Sequence, residues 1–240
     1  MKLSKFVILF FVIASCSNDD TIENDTLASY AAHRVTENGA VIACAASEMN
    51  SNNILVFYYP ELGASNIKLF ETQDTSVDHT QFSNYSQVMR NSLPVFNGYL
   101  EKHITSSDIE KWVIVTFELD NEIKISNPIR IKQILKPTIW TEDVSISQVQ
   151  VGTSDFTWTD NAFGDNAIYF EVISDAQDNL LSGTYTYENQ FQYYNTTNVV
   201  LNITQQVPPA LVSGETYNFT LMDVSLDNWV NTVVQKSFQH

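Results

Sequence analysis

Asp160, Asn161, Asp165 and Asn166 in one segment, and Asp227, Asn228 and Trp229 in another, gather carboxylates, amides and an indole. Hard oxygen donors of this kind can bind calcium at about 2.3–2.6 Å. Amides beside an aromatic face can instead hold a sugar by hydrogen bonding and stacking. Tyr193, Tyr194, Asn195 and Asn198 add rings and amides in the stretch between. The alternative is that Asp and Asn form turns and the aromatic residues fill the core. Two thiols complete the reactive inventory. Cys44 lies in phase with Ile42 on an apolar strand and reads as a buried, inert core residue. Cys16 follows the charged start Lys2 and Lys5, the apolar run from Phe6 to Ile13, and the small residues Ala14 and Ser15.

Other chemistry is harder to find. No nucleophile elbow, zinc-protease helix motif, paired-cysteine metal motif, phosphate-cradling loop or dinucleotide fingerprint occurs in the sequence. His33, His79, His103 and His240 fall outside metal-ligand spacing of one another and of Cys44. Glu118, Asp120 and Glu122 flank Asp120-Asn121 and read as a solvated hairpin turn, since no apolar pocket is implied that would raise a carboxyl pKa. Asn84, Asn195, Asn202 and Asn218 begin Asn-x-Ser/Thr triplets, which fit Asn and Thr alternating on exposed strand faces.

The elements that must position these residues are strands. Short apolar runs of period two recur between polar turns every eight to twelve residues or so, the pattern of antiparallel β architecture. Expected strands are Ala40 to Ala46, Ile54 to Tyr59, Ile67 to Glu71, Lys111 to Leu119 and Glu122 to Ile131. After Pro137 come Ser154 to Thr159, Ala167 to Ser174, Gly183 to Tyr187, Val199 to Thr204, Thr216 to Val224 and Trp229 to Phe238. Val113, Val115, Phe117 and Leu119 share a face that should be core. The alternation from Val199 to Thr204 fits a sheet with one wet face. Thr72 to Tyr99 reads as a loop with one short helix or strand.

Charge divides the chain in the same places. Residues 1–15 carry +2, residues 16–25 carry −4, residues 26–136 carry −3 and residues 137–240 carry −11, with Lys236 the single cation of that last segment. Chains this acidic repel phosphate backbones, so nucleic acid is not an expected partner. The expected organisation is a signal peptide over 1–15, an acidic tether over 16–25, and sandwiches over 26–136 and 137–240. The tether has nothing to bury and should stay solvated.

Two resemblances sharpen this picture. The segment ending at Cys16 resembles the lipobox of Gram-negative bacterial lipoproteins, which implies cleavage before Cys16, acylation of its sulfur and amine, and anchoring at the outer membrane. A span of eight to ten apolar residues is too short to cross about 30 Å of hydrocarbon. With Cys16 acylated, no thiol is left to pair with Cys44. The acids behind Cys16 resemble a surface-export signal, and Asp25-Thr26-Leu27 resembles an O-glycosylation acceptor with Thr26 as the modified residue.

The second resemblance lies in the last hundred residues or so. Phe156-Thr157-Trp158, Tyr169-Phe170-Glu171-Val172 and Leu211-Val212-Ser213-Gly214-Glu215-Thr216-Tyr217 look like a fibronectin type III domain, the last stretch being its tyrosine corner. The first half resembles the fold less closely, with Trp112 in place of the corner tyrosine. The fold class implied is all-β, two tandem fibronectin type III-like (immunoglobulin-like) β-sandwiches. That topology would bring Asp160, Asn161, Asp165, Asn166, Asp227, Asn228 and Trp229 to one pole, together with Tyr193 and Tyr194, and would turn this pole toward the first domain. Calcium there could relieve repulsion among Asp160, Asp165 and Asp227. Lys132 and Lys136 could do so without a metal, and they are favoured because three acids without a loop motif seldom make a tight calcium site.

The functional expectation is a non-catalytic, lipid-anchored cell-surface protein that binds or spaces a protein or glycan partner, with no cofactor unless calcium binds. The alternative is a carbohydrate-binding module of a nutrient-uptake complex, which would need Tyr185 and Tyr187, or Tyr193 and Trp229, as a solvent-facing platform.

Overall fold

A computed structural model of the protein describes residues 26–204 and 206–240. The expected signal peptide, Cys16 and the acidic tether lie outside the described residues. The first sandwich opens with helix α1 (Leu27–Ala31), capped by the Thr26 hydroxyl, which accepts the Ser29 N–H. Ten strands follow: β1 (Thr36–Val41), β2 (Ala43–Ser47), β3 (Asn53–Tyr58), β4 (Ser65–Glu71), β5 (Ser86–Val88), β6 (Ser92–Val95), β7 (Leu100–Ser106), β8 (Lys111–Leu119), β9 (Glu122–Ser126) and β10 (Ile129–Ile131). The second sandwich contains β11 (Ile139–Thr141), β12 (Ser145–Gln150), β13 (Thr153–Thr157), β14 (Asn166–Asp175), β15 (Leu180–Thr186), β16 (Gln190–Gln192), β17 (Val199–Asn202), β18 (Thr216–Ser225) and β19 (Val230–Gln239).

Both halves use one strand plan. In the second, β12-β13-β16 form one sheet and β19-β18-β14-β15 the core of the other, which is the A-B-E and G-F-C-C′ order of a fibronectin type III sandwich. The first half repeats it as β2-β3-β7 and β9-β8-β4-β5, with β6 added beside β7. Each half also begins with a strand that pairs parallel to its last hairpin strand, β1 to β9 and β11 to β19. The protein is all-β, two tandem fibronectin type III-like sandwiches.

The hairpin at Asp120-Asn121 forms as its residues dictate, both at positive φ, 52° and 65°. Glu122 to Ile131 is not one strand, because Asn127-Pro128 interrupts it. Proline has no N–H to give the ladder, and pairing with β8 resumes only at Ile129. β7 is not among the strands expected from the sequence. Its His103 and Thr105 are buried polar residues, and His103 stacks on Tyr58 with ring centroids 5.2 Å apart, so the apolar alternation is masked. The stretch from Thr72 to Tyr99 holds a 3₁₀ turn, Phe82–Asn84, as well as β5 and β6.

The tyrosine corner is present. The Tyr217 hydroxyl accepts the Val212 N–H at 2.9 Å, and Gly214 takes φ +88°, a backbone region that few other residues enter cheaply. Trp112 occupies the matching second position of β8 but makes no corner. It stacks on His79 at 4.4 Å instead. Tyr217→Phe is expected to lower stability by about 0.5–1.5 kcal/mol, toward the low end because the exposed Val212 can pair its freed N–H with water. Urea unfolding checks this, and an unchanged midpoint would refute the corner's contribution.

The two sandwiches are stacked, not strung. Ile54, Val56 and Tyr58 of β3 face the first sandwich's own core, whereas Leu55 and Phe57 face the second sandwich. On β14 and β18, Tyr169, Ile173, Phe219 and Leu221 point into the second core while Phe170, Val172, Met222 and Val224 pack against the first sandwich. The expectation that the second large sheet keeps a wet face therefore fails over most of its width. Burial of both faces is what near-continuous apolar runs such as Ile54 to Tyr59 require, since each side chain must leave water. The edge strand β17 stays half wet, with Val200 and Leu201 exposed and Ile203 just beyond it buried, and so does the C-terminal half of β19, where Gln235, Ser237 and Gln239 are exposed. Cys44 and Ile42 are in phase, as expected, but they pack against this inter-sandwich cluster instead of the first sandwich's core. Cys44 is half-buried where a buried residue was expected, yet desolvation still pushes its thiol up to about 12, so it stays protonated at neutral pH.

Candidate functional site

The pole singled out by the sequence lies where the two halves meet. It is built from the β13–β14 loop and the β18–β19 hairpin. The hairpin turns at Asn228, whose φ of 61° suits asparagine. Beyond it, Trp229 enters the core of the first sandwich among Val41, Ala45, Ile54, Val113 and Phe117, and is fully buried. Its Nε1–H donates to the Lys136 carbonyl at 2.8 Å. Asn228 is fixed on both sides: its Nδ2 donates to the Pro128 carbonyl at 3.1 Å, and its own carbonyl accepts the Ala45 N–H at 3.0 Å. Neither residue faces a ligand, so their assignment to a binding surface is corrected. A loop expected to be exposed is a plug.

Charge at the joint is neutralised from within. Lys132 Nζ stands 2.8 Å from Asp227 Oδ1 and 3.3 Å from Asp165 Oδ2, while Lys136 Nζ reaches Asp165 Oδ1 at 2.9 Å. Burial raises the Asp165 pKa, but Lys136, Asn231 and Lys132 outweigh it and hold the carboxyl below its ordinary value. Asp160 belongs to a different set of contacts, accepting the Tyr169 hydroxyl at 2.9 Å. Asn161 receives that same hydroxyl's partnership through its N–H at 2.7 Å, and its Oδ1 accepts the Asn166 N–H at 3.0 Å. Asn166 Nδ2 donates to Asp223 Oδ1 at 2.8 Å. Asp165 and Asp227 thus share a lysine, and Asp160 braces its own loop. Among the described residues, no three His, Cys, Asp or Glu side chains converge so as to hold a metal ion.

More hydrogen bonds close the seam beside the plug. Ser47 and Thr138 exchange two bonds, Ser47 N–H to Thr138 Oγ1 at 2.8 Å and Thr138 N–H to Ser47 Oγ at 2.9 Å. Thr138 Oγ1 donates to the Val230 carbonyl at 2.8 Å, and Trp140 Nε1 to the Ser47 carbonyl at 2.9 Å. None of these residues stood out in the sequence. Their signal, a Ser or Thr on an otherwise apolar strand, is shared by most β proteins.

The proposed aromatic platforms do not form. Tyr193 is buried and its hydroxyl donates to the Pro209 carbonyl at 2.6 Å. It follows β16, whose last residue Gln192 pairs with Asp155 near the start of β13, so Tyr193 and Tyr194 lie at the opposite pole from Asp160. Tyr185 stacks on Phe170 at 4.5 Å inside the inter-sandwich cluster. Of the four candidate rings, only Tyr187 is exposed. Thr26, the expected O-glycosylation acceptor, uses its hydroxyl to cap α1 and lies 2.6 Å from Ser29 Oγ.

No family model matches the chain, and no curated protein matches it. Solved structures do. The chicken CNTN1 FN1–FN3 domains are 10% identical, the match covering 86% of this chain and 69% of that one with a TM-score of 0.30. The central fibronectin-III array of RIM-binding protein is 8% identical, covering 82% and 68% with a TM-score of 0.27. The fold assignment rests on the strand order and the corner, which the chain displays by itself.

Proposed function

We propose that the protein is a non-catalytic, lipid-anchored module of the cell envelope whose two sandwiches are locked to each other and carry a partner-binding surface away from the membrane on the acidic tether. The observation that carries this is the plug. A flexible linker between two sandwiches would let the outer one swing, because interdomain interfaces within a chain are ordinarily modest and polar. Here Trp229 sits inside the first sandwich and an apolar layer runs between the two facing sheets. Contacts of this kind oppose relative swinging of the two sandwiches, which is what a spacer or presenter requires. The anchor comes from the Cys16 lipobox resemblance, and two or three acyl chains hold a protein stably where one does not. The acidic residues behind Cys16 support display on the cell surface.

Cys16→Ala tests the anchor. Expressed in a Gram-negative host, the wild-type chain should incorporate labelled palmitate and partition into detergent, and the variant should do neither. Undiminished partitioning of the variant would overturn the lipoprotein reading. Among the described residues no helix is long and apolar enough to cross a membrane.

A further inference from the structure

A cavity remains in the layer between the two sandwiches. It has β2 and β3 on one side and β14, β15, β17 and β18 on the other, with a volume of about 220 Å³. An apolar cavity of about 150 Å³ is enough to take up benzene, whereas drug-sized sites span roughly 300–1,000 Å³. The space therefore suits one ring carrying a few further atoms. Gly39, Asn127 and Leu201 in its lining are exposed, so the cavity opens to solvent.

One polar group in this lining is free and can be reached. Tyr185 is only 9% exposed, and among the described residues its hydroxyl has no hydrogen-bond partner. The unpartnered interior atoms that have lost all surface, Trp158 Nε1 and Ser182 Oγ among them, do not include this oxygen, so a guest can touch it. The Tyr185 phenol also feels the Cys44 thiol electrostatically, which places its oxygen end toward β2, where Cys44 lines the same cavity. Cys44 itself keeps partial exposure in the middle of an apolar layer, as a residue facing an open cavity does.

The lining selects the guest. It contains no Asp, Glu, Lys, Arg or His, so an ion entering it would lose its hydration without a counter-charge. A sugar would leave most of its hydroxyls unmet, because Tyr58 already gives its hydroxyl to Glu101 at 2.5 Å and Asn228 its amide to Pro128 at 3.1 Å. The sulfur atoms of Cys44 and Met222 and the rings of Phe57 and Phe170 favour an aromatic neighbour. We propose that this cavity binds a small neutral aromatic molecule bearing a single hydrogen-bonding group, which pairs with the Tyr185 hydroxyl. The site bridges the two sandwiches and does not depend on the lipid anchor.

The test uses the full lipidated chain in phospholipid discs, labelled with ¹³C at the methionine methyl groups. Met222 reports from the lining and is assigned by its loss in Met222→Leu, while Met49 and Met89 are exposed and serve as internal references. The probes are p-cresol, its near-isostere p-xylene, benzoate, benzylammonium and D-glucose, compared at equal free concentration in water. A saturable shift of Met222 alone is expected with p-cresol, a weaker one with p-xylene, and none with the other three. Tyr185→Phe should weaken p-cresol by about tenfold, the factor that one hydrogen bond supplies, and leave p-xylene unchanged. Since the hydroxyl has no protein partner, that variant should unfold at the wild-type midpoint. The proposal falls if p-cresol leaves Met222 unmoved, which would mean that the cavity holds water only, or if Met49 and Met89 shift equally. It also falls if p-xylene, an ion or glucose binds as well as p-cresol, if Tyr185→Phe binds p-cresol as the wild type does, or if that variant has a lower midpoint.

Discussion

Trp229→Ala is expected to cost about 3–5 kcal/mol, the range for truncating a large aromatic residue in a packed core. Two features place it at the upper end. The ring is fully buried in a sandwich to which it does not covalently belong, so the void opens in the first half while the mutated strand belongs to the second. Its Nε1–H also satisfies the Lys136 carbonyl, which would be left without that donor. The wild-type chain should unfold in denaturant as one unit, with coincident transitions from probes in either half. In Trp229→Ala the transitions should separate, the first sandwich melting earlier. Hydrogen exchange reads both halves at once. Loss of less than about 1 kcal/mol, or coincident transitions in the variant, would show that the plug does not couple the halves. Tyr187→Ser, at an exposed position, is the control and should be within about 0.5 kcal/mol of wild type.

Glu171→Gln is expected to stabilise the protein at neutral pH, an unusual direction for a core substitution. Glu171 lies on β14, fully buried toward the second core, opposite Thr184 and beside Leu221. Burial raises its pKa well above the ordinary carboxyl value, and hydrogen bonds from the Thr186 and Thr184 hydroxyls only partly offset this. A carboxyl raised in the folded state binds more protons there than in the unfolded chain. Its contribution is therefore most favourable below the unfolded pKa of about 4.3, and is lost as pH rises toward the folded value. Within that window the slope approaches about 1.4 kcal/mol per pH unit. Glutamine keeps the shape and the hydrogen-bonding capacity but cannot ionise. The difference between variant and wild type, measured by urea unfolding at pH 5 and pH 7, should grow with pH. A difference independent of pH would mean that Glu171 is ionised in the fold and compensated by some other contact.

Asp165 behaves in the opposite sense. With Asp165 held below its ordinary pKa, its ion pairs stabilise the joint above the unfolded pKa and are lost as pH falls through the folded one. Because Asp165 is 44% exposed at the side chain, the solvent screens much of that gain.

Local rules were legible in the sequence because they act between near neighbours. The period-two runs marked most long strands, and Lys111–Leu119 coincides with the expected strand end to end. Asp120-Asn121 announced its hairpin, and Leu211 to Tyr217 announced the corner, since each motif is closed within a few residues by its own backbone and side-chain bonds. The two-sandwich plan follows from such signals added along the chain. What the second face of each strand meets is another matter. Leu55 and Phe57, or Phe170 and Val172, are apolar whether they face a neighbouring domain, a second copy or a covering helix, and periodicity treats these alike. Trp229 shows the limit most clearly. Its neighbours Asp227 and Asn228 give it the local pattern of an exposed ligand loop, and nothing nearby in sequence opposes that reading. Only the tertiary structure brings Val41, Ile54 and Phe117 around the indole, because the apolar surface freed from water there outweighs anything the loop could gain by staying in solvent.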